Sequence, residues 1–126
     1  MTTVKINDIN LYYDMFGQGQ PLVFIHALGS SGRDWEYQVP TLSEHFQVII
    51  YDLRGHGRSD KPAGPYSLPL FAADTVALLR ALDIEAAYVV GLSLGGGIAL
   101  QVAVDTPAMV RKLVVVNSGP ELVPHT

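Results

Sequence analysis

Apolar residues along the chain fall into two kinds of run. Leu22-Val23-Phe24-Ile25, Val48-Ile49-Ile50-Tyr51, Tyr88-Val89-Val90 and Leu113-Val114-Val115-Val116 are continuous, with no polar alternation. Strands covered on both faces read this way, as in parallel sheets. Each run closes on a small or polar residue, namely His26, Asp52, Gly91 and Asn117, where the chain should leave the sheet. The opening is different: Val4–Ile6 and Leu11–Phe16 are two short runs joined by Asn7-Asp8-Ile9-Asn10, which predicts a hairpin, and Gly17-Gln18-Gly19-Gln20-Pro21 reads as a turn.

Helical periodicity occupies the gaps between the continuous runs. Leu68, Phe71, Ala72, Val76, Leu79 and Leu82 form one stripe, with Ser67 placed as an N-cap. A second helical stretch begins near Ser31 and carries Trp35 and Val39, with Pro40 kinking or restarting it. A third runs from Leu94 to about Val104. Strand and helix alternate, so the pattern predicts an α/β domain whose mostly parallel sheet carries an N-terminal antiparallel hairpin. Open sheets of this kind bind ligands at the carboxyl ends of their strands.

Composition narrows the function classes. The 126 residues are 48% hydrophobic and 16% charged, which suits one globular unit. A net charge of −4 and the lack of any Lys/Arg run argue against a nucleic-acid partner. Without cysteine there is no disulfide and no thiolate metal site. The residues Met1–Asp8 lack the basic and apolar regions of a signal peptide, and no apolar stretch is long enough to span a bilayer. A cytoplasmic protein with no membrane partner is the expectation.

The chemistry concentrates in Gly91-Leu92-Ser93-Leu94-Gly95. Glycine-x-serine-x-glycine is a weak signal alone, but here Val89-Val90 ends a strand and Ile98–Val102 continues as a helix, the setting a nucleophile elbow requires. On such a turn the serine is strained, and residues two positions away must be small, which Gly91 and Gly95 satisfy. The helix N-terminus directs N–H groups and partial positive charge at the site, favouring a developing oxyanion. The competing reading is a phosphate-binding turn. The dinucleotide pattern is absent, because Gly95 and Gly97 are followed by Leu100, and no Gly-Lys-Ser or Gly-Lys-Thr occurs.

Three blocks in order give the chain a resemblance to the α/β-hydrolases, in the branch of small esterases, lactonases and cofactor-free haloperoxidases. His26-Ala27-Leu28-Gly29 is similar to the family's histidine-glycine-x-glycine loop, with Ala27 in place of glycine. Asp52-Leu53-Arg54-Gly55-His56-Gly57-Arg58-Ser59 is similar to its D-x-R-G-x-G-x-S loop, and Gly91–Gly96 to its elbow. The stretch Gly-Leu-Ser-Leu-Gly-Gly, with Gly64-Pro65-Tyr66-Ser67 before it, also resembles 3-oxoadipate enol-lactonases. The resemblance implies an α/β-hydrolase fold with about six of its eight strands present. It further implies Ser93 as nucleophile and the backbone N–H groups of Leu28 and Leu94 as oxyanion hole, with no cofactor. His26 and His56, alternatives as base, are implied to organise loops, as are Asp52 and Arg54. No ligand spacing supports a metal site built from Asp52, His26 and His56.

A serine hydroxyl needs a base, and the family places acid and histidine after the serine in chain order. Beyond Ser93 the candidates are Asp105, Glu121 and His125, none well placed, so residues 1–126 are expected to be the N-terminal part of a single longer domain. Without a triad histidine, turnover should fall on the order of a millionfold. Leu113–Val116 reads as a strand buried on both faces with nothing following to pair it, an edge that invites self-association. The expected activity is hydrolysis of a small-molecule carboxylic ester or lactone through an acyl-enzyme. A carbon–carbon bond hydrolase, a haloperoxidase and a non-catalytic ligand-binding protein are the alternatives.

Overall fold

The computed structural model describes residues 2–116. Its first two strands, β1 (Thr2–Ile6) and β2 (Ile9–Phe16), pair antiparallel with Ile6 opposite Ile9. The connection is therefore two residues, not the four the sequence suggested. Asn7 and Asp8 have φ of 46° and 66°, the left-handed pair that a tight hairpin turn demands and that Asn and Asp tolerate best.

The remaining strands are β3 (Gln20–Ile25), β4 (Phe46–Tyr51), β5 (Ala87–Leu92) and β6 (Val110–Val116). The sheet order is β1-β2-β4-β3-β5-β6. β4 pairs antiparallel with β2, whereas the β4–β3, β3–β5 and β5–β6 pairs are parallel. The sheet is thus mixed, with an antiparallel start and a parallel remainder.

Both faces of the central strands are covered, which is the physical reason their sequences do not alternate. Val23, Ile25, Ile49, Tyr51 and Val89 pack under the helices α2 (Leu68–Ala81) and α3 (Leu94–Asp105), against Leu78, Leu79, Ile98 and Val102. Leu22, Phe24, Val48 and Ile50 face the other way, against Trp35 and Val39. Pro40 does restart the second helical stretch: a 3-10 turn over Gly32–Trp35 is followed by a separate short helix, α1 (Val39–Leu42).

α2 starts where its cap was expected, with the Ser67 hydroxyl accepting from the Leu70 N–H at 3.2 Å. It stops at Asp83, whose φ of 61° turns the chain out of the helix. Leu68 departs from the expected buried stripe, since 38% of its surface is exposed. β6 begins at Val110, before the apolar run, and Val114, Val115 and Val116 are 52%, 42% and 41% exposed, the open apolar edge expected of this run when no further strand covers it. Among the described residues it pairs only with β5, and no helix is long and apolar enough to cross a membrane.

Candidate active site

Parallel register brings three strand ends to one edge of the sheet. Phe24 lies opposite Ile50 and Ile25 opposite Gly91, so His26, Asp52 and Ser93 leave the sheet together. β5 ends at Leu92 and α3 begins at Leu94, which leaves one residue for the turn. That residue, Ser93, has φ 59° and ψ −114°. A side chain with a Cβ seldom adopts this conformation, and holding it costs on the order of 1–3 kcal/mol.

Main-chain bonds and close contacts hold Ser93 in place. Its N–H donates to Val116 O at 2.8 Å, and its carbonyl accepts from Gly96 N at 2.9 Å and Gly97 N at 3.2 Å. A Cβ on Gly91 would stand 2.7 Å from Gly96 N, and one on Gly95 would stand 2.8 Å from the His26 carbonyl oxygen. Real Cβ atoms essentially never come that close to another heavy atom. The elbow therefore packs directly against the loop that follows β3. Among the described residues no group hydrogen-bonds the Ser93 hydroxyl, and none accepts from the Leu94 N–H in the first turn of α3.

The loop after β3 is a type II turn. Ser30 N donates to Ala27 O at 3.2 Å, and Gly29, the third residue of the turn, has φ 77°. Nothing lies within 4 Å of where a Gly29 Cβ would be, so the backbone angle alone requires glycine there. Ala27 has no positive φ, so alanine fits where the family pattern has glycine. The Leu28 side chain at the crest of the turn is 73% exposed.

His26 ties this loop to the next one. It is fully buried, Nε2 accepts from the Leu53 N–H at 2.9 Å, and Nδ1 is 2.7 Å from Ala27 O. This pattern requires the neutral tautomer with its proton on Nδ1. Burial pushes its pKa below the ordinary histidine value, although the bond to Ala27 acts in the opposite direction.

The loop after β4 is built on Asp52. Its carboxylate accepts from Gly32 N at 2.7 Å and Arg58 N at 2.9 Å. Ser59 Oγ donates to Asp52 O at 2.5 Å and accepts from Tyr12 N at 2.9 Å. Arg54 reaches α2 instead, pairing with buried Asp74 through Nε at 2.8 Å and a second nitrogen at 2.9 Å. The bond to Asp74 raises the Arg54 pKa further. His56 Nδ1 lies 3.0 Å from Arg54 O, and its ring is 5.2 Å from that of His26.

The structure thus brings Ser93, Leu94, Gly91, Gly95, His26, Leu28 and Gly29 to one edge. Neither His26 nor His56 is bonded to Ser93. Asp105 is at the opposite end of α3, roughly 17 Å from the elbow at 1.5 Å per residue, where it accepts from Gln101 Nε2 at 3.0 Å. Glu121 and His125 lie outside the described residues. Among the described residues no three His, Asp or Glu side chains come together as metal ligands could. A cavity of about 520 Å³ lined by Ala73, Val76, Ala77 and Arg80 contains none of the site groups.

Two residues central to these loops escaped sequence reasoning. Asp74 gave no signal, because a carboxylate in an amphipathic helix normally points to solvent. Asp34, whose carboxylate lies against Ala27 N and the Ser30 hydroxyl, had one: Ser31-Gly32-Arg33-Asp34 has capping-box spacing.

Known proteins share this arrangement. The chain is 41% identical over 125 residues to a non-heme chloroperoxidase of Streptomyces lividans, covering 95% of this chain and 45% of that protein. It is 34% identical to 3-oxoadipate enol-lactonase 2 of Acinetobacter baylyi, covering 95% and 46%. Among solved structures, an N-acyl homoserine lactone degrading enzyme superposes with a TM-score of 0.87 at 41% identity, covering 90% of this chain and 44% of that one. The chain spans less than half the length of these relatives. A family profile described as alpha/beta hydrolase fold matches residues 20–126, and with the sheet order and the elbow already in place, the chain belongs to the α/β-hydrolase family.

Proposed function

We propose that Ser93 is the nucleophile of a hydrolase acting on carboxylic esters or lactones. The observation that carries this reading is the strained Ser93 backbone, φ 59° and ψ −114°, on a one-residue turn at a helix N-terminus. Backbone strain persists where the surroundings impose it, and it gathers at functional sites. In this reading the Ser93 hydroxyl adds to the substrate carbonyl carbon. The oxyanion that forms is held by the N–H groups of Leu94 and Leu28, with the α3 dipole behind the first of them. The alcohol or enol oxygen then leaves with a proton, and water releases the acid from the acyl-enzyme.

In this reading the base and acid come from outside the described residues: both His26 ring nitrogens are taken by backbone groups, His56 makes no bond to Ser93, and Asp105 is at the far end of α3. The lactonase relatives support the substrate class. Similarity to the chloroperoxidase favours a second reading, haloperoxidase chemistry on the same serine.

A fluorophosphonate probe tests the proposal on the polypeptide as its host produces it. Ser93 should be labelled and simple esters or lactones turned over, and Ser93→Ala should abolish both. Labelling elsewhere, or turnover that survives the substitution, would overturn the assignment. Halogenation that requires peroxide would select the second reading.

A further inference from the structure

We propose that Asp34 is the positioning residue of the loop that presents the Leu28 N–H, an inference that rests on the hydrolase reading above. Asp34 lies in the 3-10 turn seven residues beyond Ala27. One carboxylate oxygen accepts from Ala27 N at 3.3 Å, and the other accepts from the Ser30 hydroxyl. Ala27 and Ser30 are the first and last residues of the type II turn, so a single carboxylate bridges its two ends.

Among the described residues the middle of the turn has no anchor of its own. The Leu28 side chain is 73% exposed and Gly29 has no atom to pack. The direction of the Leu28 N–H is therefore set by the ends. The carboxylate itself stands on a rigid post: Asp34 N donates to Ser31 O at 3.1 Å, and the next residue, Trp35, stacks on Phe24 of β3 at 4.5 Å. Asp34 touches no reacting atom. It acts by holding a donor within the 2.7–3.1 Å that an oxyanion requires.

An interaction realised only in the transition state lowers kcat when lost and leaves KM in place. In the polypeptide as its host produces it, Asp34→Ala should reduce kcat on p-nitrophenyl acetate about 10- to 100-fold, less than outright loss of an oxyanion donor. KM should stay within about twofold. Affinity for a boronic acid transition-state analogue should fall by the same factor as kcat. Asp34→Asn keeps an acceptor for Ala27 N and can donate to Ser30 Oγ, so it should restore most of the rate. Ser30→Ala removes one arm only and decides the matter if Asp34→Ala does not fold; it should lower kcat in the same direction by a smaller factor. A raised KM with kcat intact, or an Asn variant no better than Ala, overturns the inference and leaves the hydrolase reading standing. A parent protein that the fluorophosphonate fails to label at Ser93 overturns both.

Discussion

His26 is enclosed by the two loops it joins, and each ring nitrogen has one partner of fixed polarity. Leu53 N–H can only donate and Ala27 O can only accept, so a proton on Nε2 would set two donors against each other. Burial already depresses the pKa. Between the ordinary histidine value, about 6.5, and the lower folded value, the unfolded chain binds a proton that the folded chain refuses. The stability contribution is therefore complete above about pH 6.5 and declines as pH falls, by up to about 1.4 kcal/mol per pH unit, until the folded pKa is passed. Urea midpoints measured from pH 8 to 5 should drop on the acid side in the parent chain. His26→Gln retains an acceptor for Leu53 N–H but does not titrate, so its midpoints should drop less; parallel curves would refute the assignment. At this scale the sequence was only partly legible. The family resemblance marks a histidine at this strand end as a loop brace rather than a base, but the identity of its two neighbours is a tertiary fact.

Helix α3 is placed by what its first turn lacks. Gly95 lies against the backbone of Ile25 and His26, and backbone carbonyls cannot step aside. Gly97, two residues on, faces only the Leu68 methyl groups, at 3.4 and 3.6 Å from where its Cβ would be. The same Gly→Ala change should therefore have opposite outcomes. Gly95→Ala should cost about 3 kcal/mol or more, at the top of the range for overpacking. Gly97→Ala should be neutral or stabilise by up to about 1 kcal/mol through helix propensity. Equal midpoints in chemical denaturation would refute the packing argument. The glycines were visible as a motif, but their unequal burdens were not, since the contact that separates them comes from β3, seventy residues earlier in the chain. The hairpin shows the reverse case. Asn7-Asp8 carries its turn chemistry locally, and the element formed where its residues pointed, only tighter.

Among the described strands, β1 and β6 are the two edges of the sheet. β1 ends in a hairpin and displays polar side chains, whereas β6 displays Val114, Val115 and Val116, each more than 40% exposed. An exposed apolar edge is a template for another strand. The 126-residue chain on its own should associate in a concentration-dependent way, and Val114→Lys should shift it toward monomer in sedimentation velocity, because a charge blunts the edge. A chain already monomeric at high micromolar concentration would contradict this. The continuous valines read as a strand covered on both faces, and among the described residues only β5 pairs with it, which leaves them open.

By itself the sequence determined the strand and helix segments, the αβ alternation and the elbow, because each depends on neighbours a few residues apart: periodicity, a cap, small residues flanking a serine. The tertiary structure decided what the site is made of. Only parallel register brings His26, Asp52 and Ser93 to one edge. Only packing commits the histidines to backbone groups, buries the Arg54–Asp74 pair and sets Asp34 across the ends of a turn. Those are contacts between distant parts of the chain, fixed by burial and by the cost of leaving a buried polar group without a partner.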